Sequence, residues 1–422
     1  MGVFTRSRAG SILGGIAVVG VSAVFLAGCA GESGGGSGTT EPGESLDLKI
    51  GTALPVTGNL AFLGPPEIAG TEYAASEVNA ANAGVTIKMI QGDSGDTDNK
   101  AYETEIPRLL GEGVSAIIGA ASSGTSLQFI DQVVGAGVIQ FSPANTSAAF
   151  TTYDDNGLYF RTAPSDTLQG EVLGNLIAES GAQTLGMIVL NDSYGTGLAS
   201  FVKDAFEAAG GTVVAEPTYN TGDTNFSAQV SEVVAANPDA IALITFEEVK
   251  TILPELFAAG VPADKLYFVD GNLSQFGSNG IDVGGSLEGA KGTLPGLSID
   301  TITDFTDSLN TFWVDEGNEE LTEFSYAAES YDAVILLALA SLAAGSTDGV
   351  AIADKLVEVS GGSGDGEKCT TFAECAEIIN GGGVADYDGI SGPITFDDVG
   401  DPTEASIGIY QYTADNDYVA YE

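Results

Sequence analysis

From Leu46 onward the chain alternates short, nearly continuous apolar runs with segments of helical period. "LDLKIGTALP" (46–55), "VTIKMIQGDS" (85–94), "VSAIIGAAS" (114–122) and "GVIQFSPA" (137–144) predict strands, several of them apolar on both faces as buried parallel strands are. Between them, 66–82 and 99–113 predict helices, the second interrupted at Pro107. After "YFRTAPSD" (159–166) a second series begins. It has helices over 167–179, 197–210, 226–237 and 248–260, and strands over 184–192, 212–220, 239–246 and 265–271. A further helix (324–345) and a β-rich tail (391–421) can return to either series. The pattern predicts βαβ architecture with buried parallel strands, most economically two separate α/β lobes. In such sheets ligands bind outside the carboxyl ends of the strands, so the loops after "AIIG", "IQFSPA", "MIVLND", "ALITF" and "YFVDG" carry the expected chemistry.

The first 45 residues belong to neither series. Arg6 and Arg8 precede an uncharged apolar stretch from Ser11 to Ala27, and Leu26-Ala27-Gly28-Cys29 looks like a bacterial lipobox. Residues 1–28 are therefore expected to be a signal peptide, Cys29 the lipidated mature terminus, and 29–45 a flexible Gly/Ser tether. An ordinary signal cut nearby and an uncleaved anchor are the competing readings. The apolar "AVILLALASLAA" (333–344) is short of the roughly 18 residues a membrane span needs. The body is thereby expected outside the cytoplasm and anchored by lipid.

That compartment bears on the cysteines. With Cys29 lipidated, Cys369 and Cys375 in "CTTFAEC" remain as a local pair expected to oxidise to a disulfide. A zinc site is the rival, weakened by the absence of histidine and of further cysteines. Charge is lopsided, 13 Lys+Arg against 59 Asp+Glu, which argues against nucleic acid and against purely electrostatic attachment to anionic lipid. The acids are scattered, as on a solvated surface; adaptation to saline surroundings is the other reading. Enzymes are disfavoured because no Ser/His or Cys/His pair can form, and adjacent acids such as Asp154-Asp155 or Glu247-Glu248 usually face solvent. A calcium site at Asp93, Asp96 and Asp98 is conceivable, although the loop lacks an EF-hand's glycine and terminal glutamate, and Asp98 reads equally as a helix N-cap. No cofactor and no metal are expected.

Two loops stand out. "GAASSGTS" (119–126) is one residue from a Walker A pattern, with Thr125 where lysine is required, so it suits a carboxylate better than a phosphate with Mg²⁺. An ordinary capped helix start is its alternative. "SPANTS" (142–147) offers carbonyls, hydroxyls and an amide at the same expected sheet edge.

Together with "IGTALPVTGNLAFLGPPEIAG", "GDSGDTDNKA", "IIGAASSGTSL", "FSPANTS", "YFRTAPSD", "NDSYGTGLA", "FSAQV" and "ISGPITFD", in that order, the chain from about 47 to 422 resembles the Leu/Ile/Val-type substrate-binding proteins of ABC transporters. The resemblance implies the type I periplasmic-binding fold, two Rossmann-like lobes with parallel central sheets joined by a three-strand hinge. Crossings are expected near 162–164, 294–297 and 391–393, giving lobe 1 as 46–162 and 296–391, and lobe 2 as 163–295 and 392–422. It implies Ser123 and Thr146 as hydroxyl donors to a ligand α-carboxylate, and the Ala144 carbonyl as acceptor from its ammonium. Tyr194 is the aromatic brought over by the second lobe, while Leu63, beside Phe62, and Phe246 stand at pocket-wall positions. The family's acidic partner for the ammonium aligns with Asn272, with Asp270 two residues earlier, which leaves amides, urea and short peptides open beside amino acids. The implied partners are a small amino acid, branched-chain or otherwise apolar, and the permease of an ABC importer. A sensory subunit reporting to a membrane kinase or chemoreceptor is the alternative.

Overall fold

In the computed structural model, which describes residues 45–421, the strands fall into three sheets. The first is wholly parallel, in the order β2 (Val85–Ile90), β1 (Leu46–Ala53), β3 (Ala116–Gly119), β4 (Ile139–Ser142), β5 (Tyr159–Arg161). All four residues of β3 and of β4 are buried, which is what their unbroken apolar runs encode. Helices α2 (Tyr102–Gly111) and α3 (Ser123–Val134) close one face through Ile106, Leu109, Phe129 and Val133. α1 (Gly64–Ala81) packs on the other face. Pro107 does not break α2, which runs through it.

The second sheet is built from β6 (Thr184–Leu190), β7 (Thr212–Ala215), β8 (Thr218–Tyr219), β9 (Ala240–Ile244), β10 (Leu266–Phe268) and β11 (Lys291–Pro295). β9, β10 and β11 extend from β6 in parallel, and β7 and β8 both pair with its other edge; the single strand expected over 212–220 is thus two short ones. α4 (Asp166–Glu179) and α5 (Gly195–Ala208) pack so closely that a Cβ on Gly170 would lie 2.3 Å from the Phe201 Cβ. α6 (Ser227–Ala236) and α7 (Val249–Ala258) complete this half.

The chain then returns to the first sheet. α8 (Thr303–Asp315), α9 (Ala327–Ala344), α10 (Gly349–Val359) and α11 (Phe372–Asn380) add to its core. They are joined by a small sheet of β12 (Glu367–Cys369), β13 (Ala385–Gly389) and β14 (Gly392–Pro393). α9 has the length and hydropathy of a membrane span, more than the sequence pattern suggests, yet 83% of it is buried in the protein. An apolar surface all round suits a helix surrounded by core. Gly70 lets α1 approach it: a Cβ there would lie 2.3 Å from the Ala327 carbonyl oxygen. Asp332 fastens α9 to the β13–β14 turn, accepting from the Tyr387 hydroxyl at 2.6 Å and from the Ser391 N–H at 2.7 Å. Cys369 and Cys375 form a disulfide beside it.

The last crossing comes later than the expected 391–393. β14 pairs with β13, and Ile394 and Phe396 still belong to the first core. The large sheet resumes only with β15 (Ile407–Tyr412), antiparallel to β11, followed by β16 (Tyr418–Ala420). Residues 1–44, with the expected signal peptide, Cys29 and most of the tether, lie outside the described residues.

Candidate functional site

The carboxyl ends of the two large sheets face each other. In the first lobe, the loops after β3 and β4 are braced together. Asn145 Nδ2 donates to the Ala120 and Ala121 carbonyls at 3.0 and 2.8 Å, and the Ser142 hydroxyl donates to Ala120 O at 2.8 Å. Ser122 caps α3 by accepting from the Thr125 N–H, so "GAASSGTS" is a capped helix start as well as a cleft loop. Behind the second loop, the buried Arg161 guanidinium donates to the Ser147 carbonyl at 2.9 Å and pairs with Asp401 at 2.6 Å. This fixes the backbone that carries Ala144 and Thr146.

From the opposing lobe come Tyr194 after β6, Phe246 after β9 and Asp270 after β10. Tyr194 and Phe246 stack with ring centroids 5.2 Å apart. Glu248 anchors this wall: it accepts from the Phe246 N–H and the Tyr219 hydroxyl, each at 3.0 Å, and from Asn59 Nδ2 of the first lobe at 2.6 Å. The Ser147 hydroxyl donates to the Ser193 carbonyl at 3.0 Å, a second bond between the lobes.

Ser123, Ala144, Thr146, Tyr194, Asp270, Leu63 and Phe246 line one cavity between the lobes, together with Leu60, Ala121, Ser122, Gly271 and Tyr326. Its free space is about 10 Å³, room for about one water. The cleft is drawn shut, and a solute larger than a water enters only if the lobes part.

Asp270 is the electrostatic centre. It is 4% exposed and accepts from the Tyr194 and Tyr326 hydroxyls, both at 2.7 Å, and from Gln169 Nε2 at 3.1 Å. Burial pushes its carboxyl above the ordinary aspartate range, against the three donors, which favour the ionised form. Burial likewise raises both tyrosines, and the Asp270 charge adds to it. Among the described residues, no lysine or arginine lines the cavity.

Asn272 does not join them. Its amide donates to the Leu243 carbonyl at 2.6 Å and to Thr245 Oγ1 at 2.9 Å, while its oxygen accepts from the Val269 N–H at 3.0 Å, so it ties the end of β10 to the end of β9. The expectation that it lines the site is corrected: Asp270 occupies the cleft and Asn272 the sheet.

Three participants escape the sequence reading. Tyr326 precedes α9 with φ +62°, a backbone state that no pattern in "FSYAA" announces. Gln169 lies on the buried face of α4. Asp166, in the first turn of the same helix, is fully buried with both carboxylate oxygens lacking a partner. Burial, and next the Asp270 charge, push it well above the usual range, while the Thr146 hydroxyl, near it but outside hydrogen-bond geometry, and then the Arg161 guanidinium oppose them. Its segment "YFRTAPSD" is legible as a crossing but not as a source of charge.

The other acid groups serve the fold. Asp93 accepts from Thr57 Oγ1 at 2.6 Å and the Gly95 N–H at 2.8 Å, and Asp96 from the Asp98 and Asn99 N–H groups at 2.8 Å, which builds a turn from the carboxylates a calcium ion would want. Asp98 is not a helix N-cap, since α2 starts at Tyr102. Glu247 pairs with Lys250.

Two doubly wound lobes meeting across a cleft lined from both sides define a solute-binding protein. The chain belongs to the periplasmic binding protein family, whose model matches residues 47–410. It is similar to the leucine-, isoleucine-, valine-, threonine- and alanine-binding protein of Pseudomonas aeruginosa, 31% identical over 45% of this chain, and the match spans about half of that relative's length. Leu/Ile/Val-binding protein homolog 1 of Brucella suis is 27% identical over 74% of this chain and 82% of its own. A chemotactic signal transduction system substrate-binding protein, BasB, of Halobacterium salinarum is 23% identical over 82% of this chain and 83% of its own. Among solved structures, the leucine-binding protein LivK of Thermotoga maritima superposes with a TM-score of 0.72 at 22% identity, covering 89% of this chain and 98% of that one. A solute-binding protein of R. palustris in complex with benzoate reaches 0.68 at 17% identity, over 89% and 95%. The fold is thus the type I periplasmic-binding architecture, and the family places the body outside the cytoplasm.

Proposed function

We propose that this protein is a lipid-anchored extracytoplasmic binding protein that captures a small, apolar amino acid between its lobes and delivers it to an ABC importer. The observation that carries the reading is the buried Asp270 carboxylate, opposite a loop pair rich in hydroxyl and N–H donors. An ammonium docks against Asp270 and the Ala144 carbonyl; the α-carboxylate takes the Ser123 hydroxyl at the start of α3 and the Thr146 hydroxyl in the loop after β4; Leu63, Tyr194 and Phe246 enclose the side chain. Calorimetry against the twenty amino acids, simple amides, urea, benzoate and ATP tests it. Amino-acid binding is expected, and tight binding of ATP or benzoate with none of any amino acid overturns it. Anchoring is tested separately, by mass spectrometry of membrane-extracted protein: a diacylglycerol-modified Cys29 is expected as its first residue, and an unmodified terminus beyond it refutes the anchor.

A sensing role is the second reading, favoured by the similarity to the chemotactic substrate-binding protein of Halobacterium salinarum. Co-purification from native membrane distinguishes the two, with permease subunits expected for import and a transducer for sensing.

A further inference from the structure

The seam between the lobes is bonded outside the cavity as well as beside it. Beyond β1 the chain turns at Gly58, where φ is +95° and a Cβ would lie 2.7 Å from Asp96 Oδ2, so a side chain has neither the backbone state nor the space it needs. The N–H of the next residue, Asn59, donates to that same oxygen at 3.0 Å. The acid turn thus fixes the Asn59 backbone and presents its side chain to the second lobe. There Asn59 Nδ2 donates to Glu248 Oε1 at 2.6 Å, and the Asn59 carbonyl accepts from the Glu247 N–H at 3.3 Å.

Neither Asn59 nor Glu248 is among the described residues that line the cavity, yet each adjoins a wall of it. Leu60, a lining residue, follows Asn59 in the chain. Glu248 Oε2 holds the Phe246 N–H at 3.0 Å, Phe246 stacks on Tyr194, and the Tyr194 hydroxyl donates to Asp270 at 2.7 Å. An amide bonded to a carboxylate is a charge-assisted contact, and parting the lobes breaks it and hands both groups to water. A bond made in the shut form and absent from the parted one shifts the balance between the two. Apparent affinity follows the share of shut form, whatever the solute.

We propose that Asn59 and Glu248 form a latch, a pair of positioning residues that sets how tightly the cleft holds a solute without choosing which one. The inference rests on the proposed use of the cleft as the ligand site, but not on the ligand's identity.

Asn59→Ala removes the amide and keeps both backbone bonds of residue 59, so the walls stay in place. Calorimetry of the mature protein with leucine, isoleucine, valine and alanine should show each affinity lowered by the same factor, roughly tenfold for one charge-assisted bond, with their ratios unchanged. The loss should fall in the dissociation rate. Asn59→Asp sets a second carboxylate against Glu248. The other groups around the pair are Tyr219, which donates to Glu248, Asp192, which feels its charge, Asp96, and Glu247 paired with Lys250. The Asn59→Asp deficit should exceed that of Asn59→Ala at about pH 8 and shrink towards about pH 5, where a proton shared by the two carboxylates restores the bond, whereas the Asn59→Ala deficit stays flat. A side chain that served the fold alone would show no such recovery. Unchanged affinity in Asn59→Ala, altered ratios among the amino acids, or an Asn59→Asp deficit independent of pH overturns the latch. If the wild type binds none of the four, the proposed function fails and the latch is judged in ligand-free protein by hydrogen exchange: the Glu247 amide should exchange faster in Asn59→Ala than in wild type, and equal rates refute it.

Discussion

Replacing Asp270 with asparagine isolates the charge from the shape. The two side chains are isosteric, and the three groups that donate to Asp270, the Tyr194 and Tyr326 hydroxyls and the Gln169 amide, can be kept largely satisfied by an asparagine, because a hydroxyl can turn to accept where it had donated. The scaffold around it remains, since Glu248 and Asn272 hold the neighbouring loops independently. What is lost is the only carboxylate among the described residues that line the cavity. Removing one partner of a buried ion pair costs about 3 to 5 kcal/mol, and three neutral donors that already share the carboxylate place this case at the lower end. At about 1.4 kcal/mol per tenfold, amino-acid affinity should fall by about 100- to 1,000-fold. Calorimetry with the best amino acid and with the same molecule lacking its amino group measures the effect directly. The wild type should prefer the amino acid strongly, and the variant should hardly distinguish the two. An affinity within threefold of wild type, with the melting temperature unchanged, would mean that Asp270 is not the ammonium's countercharge.

Ser123→Ala should weaken amino-acid binding by about ten- to a hundredfold through one lost charge-assisted hydrogen bond, without unfolding; calorimetry that finds no loss excludes that hydroxyl from the carboxylate site. Asn272→Ala should lower stability by about 1 to 3 kcal/mol in urea unfolding yet leave the ratio of amino-acid to deaminated-ligand affinity unchanged, and a collapse of that ratio would return Asn272 to the cleft. Glu329, buried near the start of α9, has its carboxyl raised by burial from 4.5 to about 8. Folded protein thus holds that proton more tightly than unfolded chain, so its stabilising effect is full below about pH 4.5 and is lost as pH climbs to about 8. Glu329→Gln should remove that part of the slope in melting temperature between pH 5 and 8.5, and an identical slope in the variant would refute the assignment.

The alternation of β3, α3, β4 and β5 is legible because buried parallel strands are apolar without interruption and their loops carry small, hydroxylated residues. The same reading points to the loops after β3, β4 and β10, and the family resemblance singles out Ser123, Ala144, Thr146 and Asp270 within them. Tyr326 and Gln169 are not legible by that rule. They reach the cleft from a helix start and a helix face, and only the packing of α9 and α4 brings them to Asp270. Asn272 misleads for a related reason: the chain turns at residues 270–272, which sends two nearby polar side chains to different places, and sequence spacing does not record that. α8 does carry a signal, since Phe305, Leu309 and Phe312 recur at helical spacing before Gly317. The pattern points into the first core, where Phe305 and Leu309 are buried.

α9 has a consequence for the order in which the molecule is made. The strands of the first sheet end at Arg161, but the helix that fills their core ends at Ala344, about 180 residues later. At about 5 to 20 residues per second, a ribosome takes roughly 10 to 40 seconds to supply it. During that interval Leu48, Ile50, Ile118 and Phe141 have no α9 to pack against, so the first half of the chain emerges as unfinished, sticky polypeptide. The second lobe waits less, needing only β15 and β16 to close its sheet edge. Truncation in the last quarter of the chain should therefore unmake the earliest-synthesised part of the protein, and nascent chains halted before residue 327 should be the ones that aggregate or occupy chaperones.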